Sequence, residues 1–252
     1  MRKELILLSV FFLVSFHFTV AQNIPVTASD TITRTLDADP SLTILDLYNS
    51  SGVLVEHQEF RNNKKDGIWI QYNDKGAPVS YRQYRNGQLN GASLTLNPRG
   101  MLVREESYLN DELNGWKHIY DSNARLKGIE YYKNGKLNGE KTSYYTNGKP
   151  VQSFTYADGQ KNGPAQWYYQ NGNVTAKYVF TNGVPNGPFS TYYNTGEIMS
   201  KGQFVMGKYA GSYLEYFENG SIKLKGQYKD GNKVGAWKEY DENGKVVHTD
   251  KY

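Results

Sequence analysis

Residues 139–163 read GEKTSYYTNGKPVQSFTYADGQKNG, and the spacing of the glycines in that stretch decides the fold. Gly139 and Gly163 stand 24 residues apart, with Gly148 nine and Gly159 twenty residues after the first. Two short runs bearing Tyr, Thr and Val lie between Asn147-Gly148 on one side and Asp158-Gly159 on the other. Glycine adopts positive φ without a Cβ clash, and Asn and Asp tolerate it, so both pairs are turn signals. The unit reads as two antiparallel strands with a turn at each end.

Working outward, the same glycine recurs as Gly67, Gly91, Gly115, Gly139, Gly163, Gly187, Gly211 and Gly235, every 24 residues without insertion or deletion. Positions are given below as offsets from these glycines. Offset 5 carries Tyr in every unit but one, where Leu96 stands, and offset 17 carries Tyr or Phe throughout. A degraded copy spans residues 43–66, with Tyr48, Gly52 and Phe60 in register, and residues 67–252 hold seven full units and a terminal partial one. A fixed period of this length is the mark of a repeat array. No helical period follows residue 21, so the fold class is all-β: an elongated single antiparallel sheet of stacked β-hairpins.

Strict alternation along each strand, counted through the turns, puts the aromatics at offsets 5 and 17 and the aliphatics at offset 11 on one face as a ladder. The opposite face then carries the even-offset aromatics Trp167, Tyr169, Phe189, Tyr193, Tyr213, Phe217 and Trp237 as a stripe in the C-terminal half. With no helix to cover either face, that stripe is the candidate partner-binding surface.

Gly67-Trp69-Tyr72 and Gly235-Trp237-Tyr240 share a Gly-x-Trp-x-x-Tyr pattern, and Tyr84 to Gly91 and Tyr132 to Gly139 share Tyr-x-Asn-Gly-x-x-Asn-Gly. In these motifs, over about residues 43–252, the chain resembles the MORN-repeat family, specifically the variant type of bacterial proteins. The resemblance implies an elongated sheet of stacked hairpins used for protein contacts, membrane association or the spacing of attached domains. Some bacterial members are labelled antitoxins, which implies a cytoplasmic toxin as partner.

The N-terminus points elsewhere. Arg2 and Lys3, an apolar stretch from Leu5 to Val20, and the small-residue site Thr19-Val20-Ala21 read as a secretory signal over residues 1–21, cleaved before Gln22. Residues 22–42, rich in Thr, Ser and Asp, read as a flexible leader. The expected location is therefore periplasmic or extracellular, and nothing after Val20 is apolar enough to span a bilayer.

The chain has 252 residues, no Cys, 25 Gly, 22 Tyr and a net charge of +4 scattered without runs of Lys or Arg. That excludes a disulfide framework and argues against nucleic acid as a partner. His57, His118 and His248 fall at unrelated offsets, and the loops from Gly67 onward have fixed lengths, so neither a repeated catalytic site nor a pocket-forming insertion is expected. No turn carries a metal-binding or nucleotide-binding spacing, so neither metal nor cofactor is expected. The expected function is an exported, non-enzymatic scaffold for a protein partner. A polysaccharide ligand is the alternative, and toxin neutralisation a third reading. Oligomeric state is left open by the sequence.

Overall fold

The computed structural model describes residues 31–36 and 39–252. The expected signal and its cleavage site, with residues 22–30 of the expected leader, lie outside the described residues. The rest forms twenty strands and no helix, from Thr31–Leu36 to Val246–Lys251. Each strand pairs antiparallel with the next in one open sheet. Val184–Pro185 and Gly187–Tyr192 are two pieces of one strand, since both pair with Val174–Thr181.

The leader expectation is corrected at its C-terminal end, where Thr31–Leu36 is a strand paired with Asp39–Tyr48. The β-branched residues Thr31, Ile32, Thr33 and Thr35 favour an extended chain. Arg34 fixes the register by an ion pair with buried Asp46. His57 Nδ1 lies 2.7 Å from the other Asp46 oxygen, and its Nε2 is 3.6 Å from Glu59. Hydrogen bonding to Glu59, joined by Asp46, holds the His57 imidazole above its usual range against the opposing effect of burial.

Two bulges per unit set which side chains share a face. Gln71 pairs with Ser80 and Tyr72 with Pro78, so Val79 at offset 12 is one residue too many on its strand. The second bulge lies at the repeating glycine: Arg82 pairs with Ser93 and Tyr84 with Leu89, so Gln83 alone faces Asn90, Gly91 and Ala92. The one extra residue at Val79 breaks the period-2 alternation, whereas the two extra residues at the glycine bulge preserve it. Gly91 has φ +118°, and a Cβ there would lie 2.2 Å from Gln83 Oε1, which accepts the Ala92 N–H at 2.9 Å. The offset-16 side chain thus lies across the glycine of the next unit, as Tyr131 does across Gly139.

The expected ladder of offsets 5, 11 and 17 on one face is corrected accordingly. The offset-12 bulge reverses alternation between 11 and 17, so the offset-17 rings join offsets 2, 4 and 15 on one face. Ring contacts record this: Trp69 lies 5.4 Å from Tyr84, Phe189 5.1 Å from Phe204, and Trp237 4.9 Å from Tyr228. We call this the ring face. Offsets 1, 3, 5, 14 and 16 form the tyrosine face, where Lys177 and Lys201 sit over Tyr192 and Tyr216 at 5.6 and 5.3 Å.

The ring face changes character along the array. In the middle units it is an alternation of charge: Lys117 Nζ is 3.3 Å from Glu106, Lys141 Nζ is 2.8 Å from Glu130, and both carboxylates are buried. Burial pushes the Glu130 carboxyl up, but hydrogen bonds from Lys141 and the Tyr132 hydroxyl outweigh it and hold it below the usual range. From Phe154 onward rings replace charges, and these make the core, with Phe189 and Trp237 only 4% and 2% exposed. Gly202 and Gly226 seat those two rings. A Cβ on Gly202 would lie 2.7 Å from Phe189 Cε1, and one on Gly226 2.1 Å from Trp237 Cδ2.

Two outcomes test this architecture. With about eighteen strand spacings of roughly 4.8 Å the sheet is near 85 Å long before twist, so small-angle scattering should give a radius of gyration of about 25 Å or more. A value near the ~18 Å of a globule of this length contradicts the open sheet. Gly226→Ala should cost about 1–3 kcal/mol by overpacking, and far less in a Trp237→Ala background, because removing the indole removes the clash. Additive losses in denaturant melts would show that the ring is not seated there.

Candidate functional site

The seven even-offset aromatics do not form one stripe. Trp167, Phe189, Tyr213 and Trp237, at offsets 2 and 4, lie on the ring face among the offset-15 and offset-17 rings they pack against. Tyr169, Tyr193 and Phe217, at offset 6, stand at the turn edge instead. There the Tyr169 hydroxyl donates to the Tyr192 carbonyl at 3.0 Å, and that of Tyr193 to the Tyr216 carbonyl at 2.7 Å. Each staples its turn to the next unit, continuing a series begun by Tyr145 on Tyr168. Phe217 has no hydroxyl to do so.

The turns show why offset 6 could change. In earlier units Asn73, Asn97 and Asp121 occupy it and cap their own turns, each side-chain oxygen accepting two backbone N–H groups. In the units of Gly139, Gly163 and Gly211 the cap moves to offset 8, in Asn147, Asn171 and Asn219. That frees offset 6 for a ring, and in the last unit Asp241 caps from offset 6 again. Short polar side chains that bond to nearby backbone are what such turns require, at either position.

Two departures from the repeat stand out instead. The first is at the other turn edge, where offset 19 is Asn86, Asn110, Asn134, Asp158, Asn182 and Asp230 in other units but Met206 in one. Met206 has φ +47° and is 71% exposed. Left-handed backbone is costly for an ordinary L-residue, while Asn and Asp offset it with local hydrogen bonds. Exposed Val205 and Val184 flank it, and a Cβ on Gly207 would lie 3.0 Å from Val184 Cγ1, so neighbouring hairpin tips make one apolar patch. The signal was in the sequence as Val205-Met206-Gly207 interrupting a series of Asn-Gly and Asp-Gly turns.

The second departure is Trp116, the one exposed tryptophan at 45%, on the tyrosine face. It stands at offset 1, where other units carry Ile68, Ala92, Glu140, Pro164, Pro188, Ser212 and Ala236. The Tyr131 ring meets it edge-on at 4.9 Å and 71°, and the His118 ring lies parallel to it at 6.4 Å. Glu105 is 3.3 Å from His118 Nδ1, in a geometry that makes no hydrogen bond, so that buried nitrogen has no partner.

Among the described residues no group of three or more His, Asp or Glu side chains could hold a metal ion. His57, His118 and His248 lie far apart in the array, each beside its own carboxylate. Two hollows of about 220 and 260 Å³ open on the surface, the first lined by Arg125, Leu126, Tyr144 and Tyr145, the second by Glu140, Ser153, Thr155, Pro164, Gln166 and Tyr168.

No curated protein matches the chain. Among solved structures the chain is similar to the Photorhabdus luminescens Tc holotoxin pore at 14% identity and a TM-score of 0.22, a likeness too slight to bear on fold or function. The match covers 88% of this chain, which spans only 14% of the length of that one. The model of the MORN repeat variant matches five successive segments, residues 137–158, 161–182, 185–206, 210–230 and 233–252. Their register is the one set by the repeating glycines, which runs unbroken back to Gly67. The C-terminal part of this chain, residues 137–252, is therefore an array of MORN repeats of the variant type.

Proposed function

We infer that the MORN repeats make this chain a repeat protein with a binding role. We propose that it is an exported, non-catalytic scaffold at the cell envelope or outside the cell, and that it holds a protein partner at the hairpin tips around Met206. Export is supported by Arg2, Lys3, the apolar stretch Leu5 to Val20 and the Thr19-Val20-Ala21 site.

The observation that carries the binding site is Met206 itself. A large apolar side chain at a left-handed hairpin tip gains nothing for the fold: it is exposed, and Asn or Asp serves better at the equivalent position of every other unit. Backbone strain retained at the surface is a mark of function rather than of packing. Methionine is flexible and polarizable and suits the apolar centre of a protein interface, and Val205 and Val184 widen the patch beside it. The occupant that fits three protruding apolar side chains on a rigid edge is a protein with an apolar groove.

Met206→Asn separates the two roles. It should stabilise the fold by about 1 kcal/mol, by removing left-handed strain, and should weaken capture of the envelope partner tenfold or more. Purified parent and variant, compared by thermal melts and by crosslinking in intact source cells with identification of the captured protein, supply both readouts. Equal capture by the two would refute the site. Recovery of the protein in the cytoplasm with Met1 to Ala21 still attached would refute export.

A further inference from the structure

Independently of the Met206 patch, we propose that the tyrosine face from Trp116 to Gln166 binds an uncharged polysaccharide. The site is a row across five adjacent strands. Trp116 pairs directly with Tyr131, and Glu140 pairs directly with Thr155, both on the same face. Tyr131 lies across Gly139, within 3.1 Å of where its Cβ would be, which brings its ring up to Glu140. Pro164 ends the row, and the hollow of about 260 Å³ lined by Glu140, Ser153, Thr155, Gln166 and Tyr168 forms its polar half. From the Trp116 strand to the Gln166 strand is four strand spacings, roughly 19 Å, the reach of a short oligosaccharide rather than of one sugar.

The chemistry of the row selects the ligand. The open indole of Trp116, with the Tyr131 ring edge-on to it at 71°, offers an apolar ring surface of the kind that sugar ring faces cover. Beyond the platform come groups that can both donate and accept. The Thr142 hydroxyl donates to Glu140 Oε1 at 2.6 Å and the Tyr168 hydroxyl to Gln166 Oε1 at 2.7 Å. Among the described residues Glu140 Oε2 and the Gln166 amide nitrogen make no hydrogen bond within the protein, so an acceptor and a donor remain for sugar hydroxyls.

Other ligand classes fit less well. The backbones of these five strands are fully engaged with their neighbours, so a peptide cannot add as a strand. The hollow is shallow and mixed in polarity, with no deep apolar socket for a side-chain anchor. Glu105 and Glu140 repel phosphates and uronic acids, which excludes nucleic acid and acidic glycans and leaves a neutral or N-acetylated chain.

The test uses the mature protein and defined hexasaccharides: cellohexaose, N-acetylchitohexaose and, as acidic control, hexagalacturonate. Calorimetric titration should show saturable binding of at least one uncharged hexasaccharide and none of the acidic one. In the unaltered protein its addition should shift one indole N–H resonance, that of Trp116, and leave buried Trp237 in place. Trp116→Ala should lower affinity at least tenfold and Gln166→Ala severalfold, whereas Trp69→Phe on the ring face should leave it unchanged. Failure of both uncharged ligands at millimolar concentration, equal binding of the acidic one, or an unmoved Trp116 resonance overturns the proposal. None of these outcomes bears on the Met206 patch, which is read by protein capture.

Discussion

The absence of a Cβ at one position in every 24 governs the rest of this structure. At Gly67 the missing atom would stand 2.0 Å from Glu59 Oε2, and that carboxylate instead accepts the Ile68 N–H at 2.8 Å. One side chain of the preceding strand therefore lies over three residues of the next, and the sheet gains a bulge at the same place in each unit from Gly67 to Gly187. A left-handed or otherwise special backbone is open to glycine alone at φ values from +113° to +135°, the range shared by Gly67, Gly91, Gly115, Gly139, Gly163 and Gly187. Bulges increase local twist and re-aim side chains, so a repeated bulge repeats the same re-aiming along the whole array.

The last two units show that the constraint is a packing relation and not merely a turn. There the pairing slides by one residue: Lys201 pairs with Leu214 and Gln203 with Ala210, so Gly202 rather than residue 203 faces the bulge. Gly211 and Gly235 relax to φ +68° and +69°, with nothing within 4 Å of where a Cβ would be. The close approach has moved to Gly202 and Gly226, which seat Phe189 and Trp237. Neither of those glycines has positive φ, so space alone explains them. A one-layer sheet has no second layer to bury a ring against, and it buries Trp237 by pressing it onto a bare patch of its own backbone.

This explains how far the sequence could be read. The period, the hairpins, the all-β class and the offset-5 to offset-11 pairing follow from Gly, Asn and Tyr spacing alone, because turn chemistry is local. Face assignment is not local. Alternation counted from Tyr72 reaches Tyr84 on the wrong side, because Val79 adds a residue that no spacing announces, and the even-offset aromatics divide into two groups because these strands end at offset 5, which leaves offset 6 in the turn. Phe189 and Trp237 became core, while Tyr169 and Tyr193 became staples of the turn edge. Gly202 and Gly226, glycines outside the periodic series, were the visible trace of the shifted bulge.

In an array of this kind each unit contacts only its neighbours, so a residue that recurs is explained by packing, and one that breaks the series needs another cause. Tyr at offset 5 and the ring at offset 17 recur and are structural. Met206 breaks its series and is exposed where Asn or Asp would serve the fold at least as well, and Trp116 is a large exposed ring at an offset where no residue type recurs. They also lie apart: about eight strand spacings, roughly 40 Å, separate the Trp116 strand from the Met206 hairpin, one on a face and the other at an edge. A rigid sheet holds two such sites at a fixed distance without any hinge between them. On the readings proposed above, that is what the array accomplishes and a compact domain of equal length would not: a protein held at one place and a glycan at another, at a spacing set by the number of repeats.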